Sequence, residues 1–376
     1  SIEKVPTSIT SLPRLSILNI ENNKITKIPQ LNRSLEKLIA SNNKIDTIEE
    51  QELNFLTEIR IDNNELTDFP TKIKFPKLTS IYLHHNKITD LDFSSTPTNN
   101  FLIQIDISFN LIEKVPKELF ECFPNLMIFS AFVNKITSIP SEISNCTHLT
   151  NLEISFNPIK KLPKLPRSLA VLSASNCQIE SIDTNPFVDP PPADSEASQT
   201  ENPLKCRKVD LSGNELESFS TFSDIEYLNL SQNKIKKMPE INSNLRVLDL
   251  SMNLLESNEN SMPQFISGPY LADVNLSHNK LTIMPQFQSV PLLQYVELSG
   301  NKIDGNFDIT NFAFLERVDI SETDVYIIGK NGHLDEVIFS NRKLDSNLNK
   351  YVNLNIQNSG YSEILGERDK MEDSIV

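Results

Sequence analysis

Near the end of the sequence Arg368 stands four residues before the paired carboxylates Glu372 and Asp373, within Asn355–Val376 (NIQNSGYSEILGERDKMEDSIV). That grouping suits phosphate and metal chemistry. A guanidinium grips a phosphate through parallel N–H donors, and carboxylates are the hard oxygen ligands that Mg²⁺ or Mn²⁺ prefer. A two-metal site activates water for phosphoryl transfer. Elsewhere reactive groupings are sparse. His84 and His85 are adjacent, and neighbours on a strand face opposite ways, so they make a poor metal pair. The sequence has eight glycines and four cysteines, with no Gly-rich phosphate loop, no nucleophile elbow and no spaced Cys/His set. Most of the chain therefore reads as a binding surface rather than a reaction centre.

The element that must position these residues is a repeat. Leu245–Leu255 (LRVLDLSMNLL) fits L-x-x-L-x-L-x-x-N-x-L at every fixed position. Leu248 and Leu250 alternate around Asp249, so a short strand buries two leucines and shows Asp249 on the other side. Asn253 is suited to bonding backbone groups of the neighbouring coil, and Leu255 re-enters the core. One unit cannot bury its apolar side alone and needs stacked copies. The Asn253 position recurs at Asn23, Asn43, Asn64, Asn86, Asn110, Asn134, Asn157, Cys177, Asn214, Asn233, Asn279, Asn301, Thr323 and Arg342, mostly 19 to 26 residues apart. This pattern resembles the leucine-rich repeat. The expected fold is an α/β-repeat solenoid of about 15 repeats, with parallel strands on a concave face and short irregular, 3₁₀ or polyproline segments on the convex side.

The solenoid is expected over 1–345, interrupted by a Pro-, Ser- and acid-rich insertion at 183–204 that is too poor in aliphatic residues to order itself. Proline after an apolar residue, as in Ile28–Pro29 and Val115–Pro116, predicts extended outer segments. Pro116–Cys122 and Pro140–Cys146 leave room for one helical turn each. Thr323 and Arg342 make the last two coils degenerate, so the array is expected to end near Leu344, followed by a linker. Ser1–Pro6 (SIEKVP) resembles the tail of an earlier coil, which places the natural N-terminus further upstream.

Composition excludes several partners. The net charge is −15, and without a basic stripe neither nucleic acid nor an anionic membrane is a suitable target. No apolar run is long enough for a membrane span. The cysteines lie inside the array, not in paired end caps, which predicts an intracellular, cytoplasmic setting. The Asn-x-Ser/Thr triplets at Asn32, Asn145, Asn229 and Asn275 are read as accidental, since Asn229 and Asn275 fall mid-strand.

Two surfaces are candidates for binding a protein partner. Between the paired apolar positions, the row from Asp106 onward carries Asp106, Glu153, Asp210, Asp249, Glu297 and Asp319 and no base. Such a row favours a basic partner. In three consecutive repeats Phe109, Val133 and Phe156 replace small or polar residues, with Phe132 beside them and Tyr82, His84 and His85 one coil away. An exposed aromatic cluster would be an interface anchor; a buried spine is the alternative, weighted towards Phe109 and Phe156, with interface weighted towards Phe132 and Tyr82.

The tail carries a second resemblance. Gly360, Ser362, Gly366, Arg368, Met371, Glu372 and Asp373 match G-x-S-x-x-x-G-x-R-x-x-M-E-D, and so 346–376 resembles a linker and the first strand of a type 2C (PPM) metal-dependent protein phosphatase. The resemblance implies that Arg368 contacts phosphate and that Glu372 and Asp373 serve Mg or Mn ions, while the repeats need no cofactor. The rest of such a domain is absent, so this chain alone is expected to be non-catalytic and to recruit a phosphoprotein substrate for a longer Ser/Thr phosphatase. The same order of domains is similar to fungal-type adenylyl cyclases, whose repeats engage a small GTPase. A scaffold with an inactive phosphatase-like module is the third alternative.

Overall fold

A computed structural model describes residues 2–188, 205–220, 224–240, 243–257, 265–329 and 331–338. Fifteen three-residue strands, from Ile17–Asn19 to Glu336–Ile338, form one parallel sheet in which each coil pairs with the next. The fold is a leucine-rich-repeat solenoid, as the repeat count predicts. Register never slips: Leu18 faces Leu38, Phe129 faces Leu152, and Leu248 faces Val274. Every strand centre points inward and its two neighbours point the other way, which is the period-two rule applied fifteen times.

The buried leucines, isoleucines and phenylalanines form one continuous core along the array. An inward phenylalanine spine exists, but it runs through Phe69, Phe93 and Phe123, whose rings meet edge-on at 4.9 and 5.6 Å. Phe120 and Phe129 extend it at 5.4 Å. Phe109 and Phe156 are not part of it, and the spine expectation for them is corrected below. The α-helix Lys117–Cys122 and the 3₁₀ turn Ser141–Asn145 occupy the two outer segments where helical turns were expected. Several other outer segments pair as short parallel ladders, such as Lys27–Ile28 with Thr47–Ile48 and Asp304–Asp308 with Asp324–Ile328, rather than staying polyproline-like.

The asparagine ladder locks coil to coil. Asn157 accepts a hydrogen bond from the Ile136 amide (2.9 Å) and donates to the carbonyls of Ala131 (3.0 Å) and Ile154 (2.9 Å). Asn43, Asn64, Asn214, Asn253 and Asn301 repeat this arrangement. Each one satisfies backbone groups that a tight turn leaves unpaired. Cys177 is the instructive departure. Its thiol reaches the Ile154 carbonyl at 3.5 Å, and the Ile159 amide, lacking an asparagine oxygen, bonds the Asn157 carbonyl instead. Among the described residues the Thr323 hydroxyl bonds within its own coil, to the Ile320 carbonyl and the Val325 amide. Arg342, the array's expected end near Leu344 and 189–204 of the insertion lie outside the described residues.

The residue before each ladder position adopts a left-handed backbone, with φ of 58° at Asn22, 57° at Asn42, 54° at Asn63 and 64° at Gly213. Asparagine and glycine tolerate this conformation best. The same position holds His85, Phe109, Val133 and Phe156 with φ of 52–57°.

Candidate protein-binding face

The first and third residues of every strand line one face of the sheet. Along the third-residue row Asp210, Asn229, Asp249, Asn275, Glu297 and Asp319 stand in successive register. The structure gives several of these acids a local task. Asp106, Asp210, Asp249 and Asp319 each accept the amide of the serine two residues on, at 2.8–3.0 Å. Asn229 and Asn275 do the same. These are Asx turns that close each strand. Glu153 accepts the Ser130 hydroxyl at 2.7 Å. Asp319 is 6% exposed, so it holds its turn and offers little to a partner.

The row beside it adds a residue that a reading confined to one row passes over. Asp273 heads the strand Asp273–Asn275, and a period of two puts it on the same face as Asp249 and Glu297. Burial, then the neighbouring charges of Glu297 and Asp249, push its carboxyl up to about 6, against the pull of Arg317. Burial and the charge of Asp210 likewise raise Asp249. The first-residue row also contains Lys208, which lies over the Tyr227 ring, and Arg317, which contacts Glu336 at 3.1 Å. The absence of bases therefore holds for one row, not for the whole face.

Towards the N-terminal end His84 bridges three coils. Its Nδ1 lies 3.1 Å from Asp106 Oδ2 and its Nε2 3.5 Å from Asp62 Oδ2. The Nδ1 contact is a charge contact rather than an aligned hydrogen bond. Asp106, then Asp62, raise the imidazole above its ordinary value against the effect of burial. Burial works to raise Asp106, but His84 and Ser108 hold it low. Since the folded imidazole titrates above the unfolded one, its stabilisation is complete below about pH 6.5 and is lost as pH rises through the folded value. Exchanging His84 for Gln is expected to cost about 0.5–1 kcal/mol at pH near 6. In paired thermal melts that difference shrinks as pH rises; a pH-independent difference would contradict the bridge. The strand ends at Tyr82, so His84 and His85 are turn residues, and the opposite-faces argument against a metal pair does not apply to them. Their rings lie 5.7 Å apart, and no cluster of three metal-ligating side chains occurs among the described residues.

The aromatic row faces outward where the sequence weighting favoured inward. Phe109 is 37% and Phe156 53% exposed, while Phe132 and Tyr82 are half-buried. His85 stacks on Phe109 at 4.0 Å and 14°, and Phe109 meets Phe132 edge-on at 5.1 Å. Tyr82 donates its hydroxyl to Gln104 and carries the Arg60 guanidinium over its ring at 4.6 Å. The left-handed backbone explains the reversal, because it turns the side chain before each ladder asparagine away from the core. Arg368, Glu372 and Asp373 lie outside the described residues. No helix among the described residues is long and apolar enough to cross a membrane.

Comparison with known proteins adds the wider setting. No protein-family model matches the sequence. The chain is 29% identical to human lumican over 250 residues, covering 62% of this chain and 68% of lumican. Among solved structures it is similar to a leucine-rich-repeat protein of Leptospira interrogans, with a TM-score of 0.63, 21% identity and coverage of 86% of this chain and 85% of that one. It is also similar to a plant peptide hormone receptor solved in complex with RGF2, with a TM-score of 0.56, 20% identity and coverage of 89% and 65%. The chain has the leucine-rich-repeat fold that these structures share.

The relatives correct one expectation. Lumican, osteomodulin and keratocan are secreted extracellular-matrix proteins, which points away from the cytoplasm. The cysteines do not decide the matter. All four are buried and free, Cys177 in the place of a ladder asparagine, and burial raises their thiols, Cys146 and Cys206 to about 12. Reduced thiols at such sites report core packing, not the redox compartment.

Proposed function

We propose that the exposed sheet face is a recruitment surface for a basic segment of a protein partner. A protein-interaction scaffold is the role that the fold and its relatives support. The observation that carries the finer reading is Asp273. Its carboxyl is crowded by Asp249 and Glu297 and costs the free protein stability when ionised. A lysine or arginine brought over Asp273 relieves that cost, so partner binding stabilises the charged form. Resemblance to a peptide hormone receptor in complex supports a peptide-like ligand on this fold.

The test is fluorescence anisotropy with a peptide of alternating lysine and serine. Affinity is expected to fall as salt rises and as pH falls through about 6, where Asp273 protonates. The Asp249→Asn/Asp273→Asn protein is expected to bind about three- to tenfold more weakly. Asparagine already caps the same turn at Asn229 and Asn275, so the fold is retained. Equal affinity for both proteins would overturn the proposal.

A second reading attaches this scaffold to a type 2C phosphatase, with Arg368 on phosphate and Glu372 and Asp373 on Mg or Mn. It is carried by the spacing of Gly360–Asp373 alone, and the relatives lend it no support. Under it the partner is a phosphoprotein substrate; under the adenylyl-cyclase alternative it is a small GTPase. Mn²⁺-dependent hydrolysis of a phosphoserine peptide by the gene product extended past Val376, abolished by Asp373→Ala, would support the phosphatase; an inactive, folded product would remove it.

A further inference from the structure

One stretch of the sheet face differs in kind from the rest. In the turns that follow the strand Ile128–Ser130 and its two neighbours the exposed or half-buried residues include Phe109, Phe132, Val133 and Phe156, all apolar. Further along, the positions equivalent to Phe109, Val133 and Phe156 hold Gly213, Gln232, Met252, His278 and Gly300, and the position of Phe132 holds Ser212, Ser231, Ser251 and Ser277. Phe109, Val133 and Phe156 occupy the left-handed position that six other coils give to asparagine or glycine and five give to His85, Gln232, Met252, His278 and Glu322. A phenylalanine or β-branched valine is strained there, and the array contains a better-suited residue for that place in Asn22, Asn42, Asn63 and Asn176. The rings are also ordered on one another, through the His85–Phe109 stack and the Phe109–Phe132 edge contact. Strain and exposed apolar area, held in a preformed arrangement, are the mark of an anchor pocket rather than of solvated surface.

The charge pattern identifies the occupant. From Ser130 the same row leads through Glu153 and Ser173 to Asp210, then through Asn229 to Asp249. Strands lie roughly 4.8 Å apart, so Asp210 is about 14 Å and Asp249 about 24 Å from the apolar strip. An extended chain advances about 3.3 Å per residue and covers those distances in about four and about seven residues. We propose that Phe109, Phe132, Val133 and Phe156 hold the apolar anchor of an extended partner segment whose basic residues, about four and seven positions on, lie over Asp210 and Asp249. This deepens the acidic-face reading and rests on it.

The test uses the full chain and two labelled peptides in anisotropy titrations. One carries a Leu-Phe pair followed about four and seven residues later by lysines; the other has serines in place of Leu-Phe. The anchored peptide is expected to bind at least about tenfold more tightly, and Phe109→Asn/Phe156→Asn should erase that gain. Asparagine suits the left-handed backbone, so the unfolding midpoint stays level or rises; if it falls, the single Phe156→Asn change at the more exposed ring replaces the double variant. Equal affinity for the two peptides, or a variant that still prefers the anchored one, overturns the anchor while salt-sensitive binding of the serine peptide preserves the acidic face. Failure of both peptides to bind overturns both readings.

Discussion

Replacing Asn157 by alanine is expected to lower the array's stability by about 1–3 kcal/mol. The side chain is 2% exposed. Its removal leaves the Ile136 amide without its acceptor, while the Ala131 carbonyl keeps the Asn134 side-chain amide and the Ile154 carbonyl keeps the Cys177 thiol. A buried polar group left unpaired costs about 1–3 kcal/mol, and here one amide is orphaned. Since each coil contacts only its neighbours, the damage should be local. Hydrogen exchange should accelerate at Ile136 and Leu152 well before it does at Val274. The natural exception at Cys177 shows why the effect is not larger: there the Ile159 amide finds a carbonyl on its own coil, and part of the loss at Asn157 can be recovered the same way. Uniform acceleration along the chain, or none, would contradict ladder locking.

Phe129→Ala is expected to destabilise by about 3–5 kcal/mol in urea unfolding. The ring is fully buried in register with Ile105 and Leu152 and packs edge-on against Phe120 of the helix Lys117–Cys122. Truncation opens a cavity where the helix Lys117–Cys122 packs on the sheet, and a rigid parallel stack collapses poorly around it. The expected signature is an early transition that includes that helix. Phe129→Leu, which keeps most of the volume, should cost roughly a third as much. A similar cost for both would show that the site relaxes freely and that the core there is not close-packed.

Much of this was legible in the sequence because repetition turns one physical argument into many. Leu248, Leu250, Asn253 and Leu255 prescribe a strand, a ladder bond and a re-entry, and the same four roles recur in register along the sheet. Less legible were features that depend on backbone conformation or on a second row. Nothing in the residue types of Phe109 and Phe156 says that φ is positive there, although the asparagines at Asn22, Asn42 and Asn63 in the equivalent place were a usable signal. Asp273 lies outside the row between the paired apolar residues, and only period two places this preceding outward residue on the same face. Asn99 falls outside the L-x-x-L-x-L-x-x-N pattern, yet it is buried and ties the Phe75 and Leu78 carbonyls to the Phe101 amide, as Asn32 and Asn331 tie an earlier coil's carbonyl to the amide two residues on. Its role became visible only once the coils were stacked. Compartment was misjudged from cysteine placement because burial, rather than oxidation state, explains those thiols.

The most direct test of the recruitment face is to map where a basic ligand sits. A lysine–serine peptide carrying a benzophenone group would be photo-crosslinked to the protein at low salt and the adducts located by mass spectrometry. The account predicts adducts on the outward residues of the sheet, at Tyr227, Val247 and Tyr295 around Asp249 and Asp273, and their loss in Asp249→Asn/Asp273→Asn. Adducts concentrated instead on the segments outside the sheet, around Lys161 or Lys237, and indifferent to that double change, would contradict it.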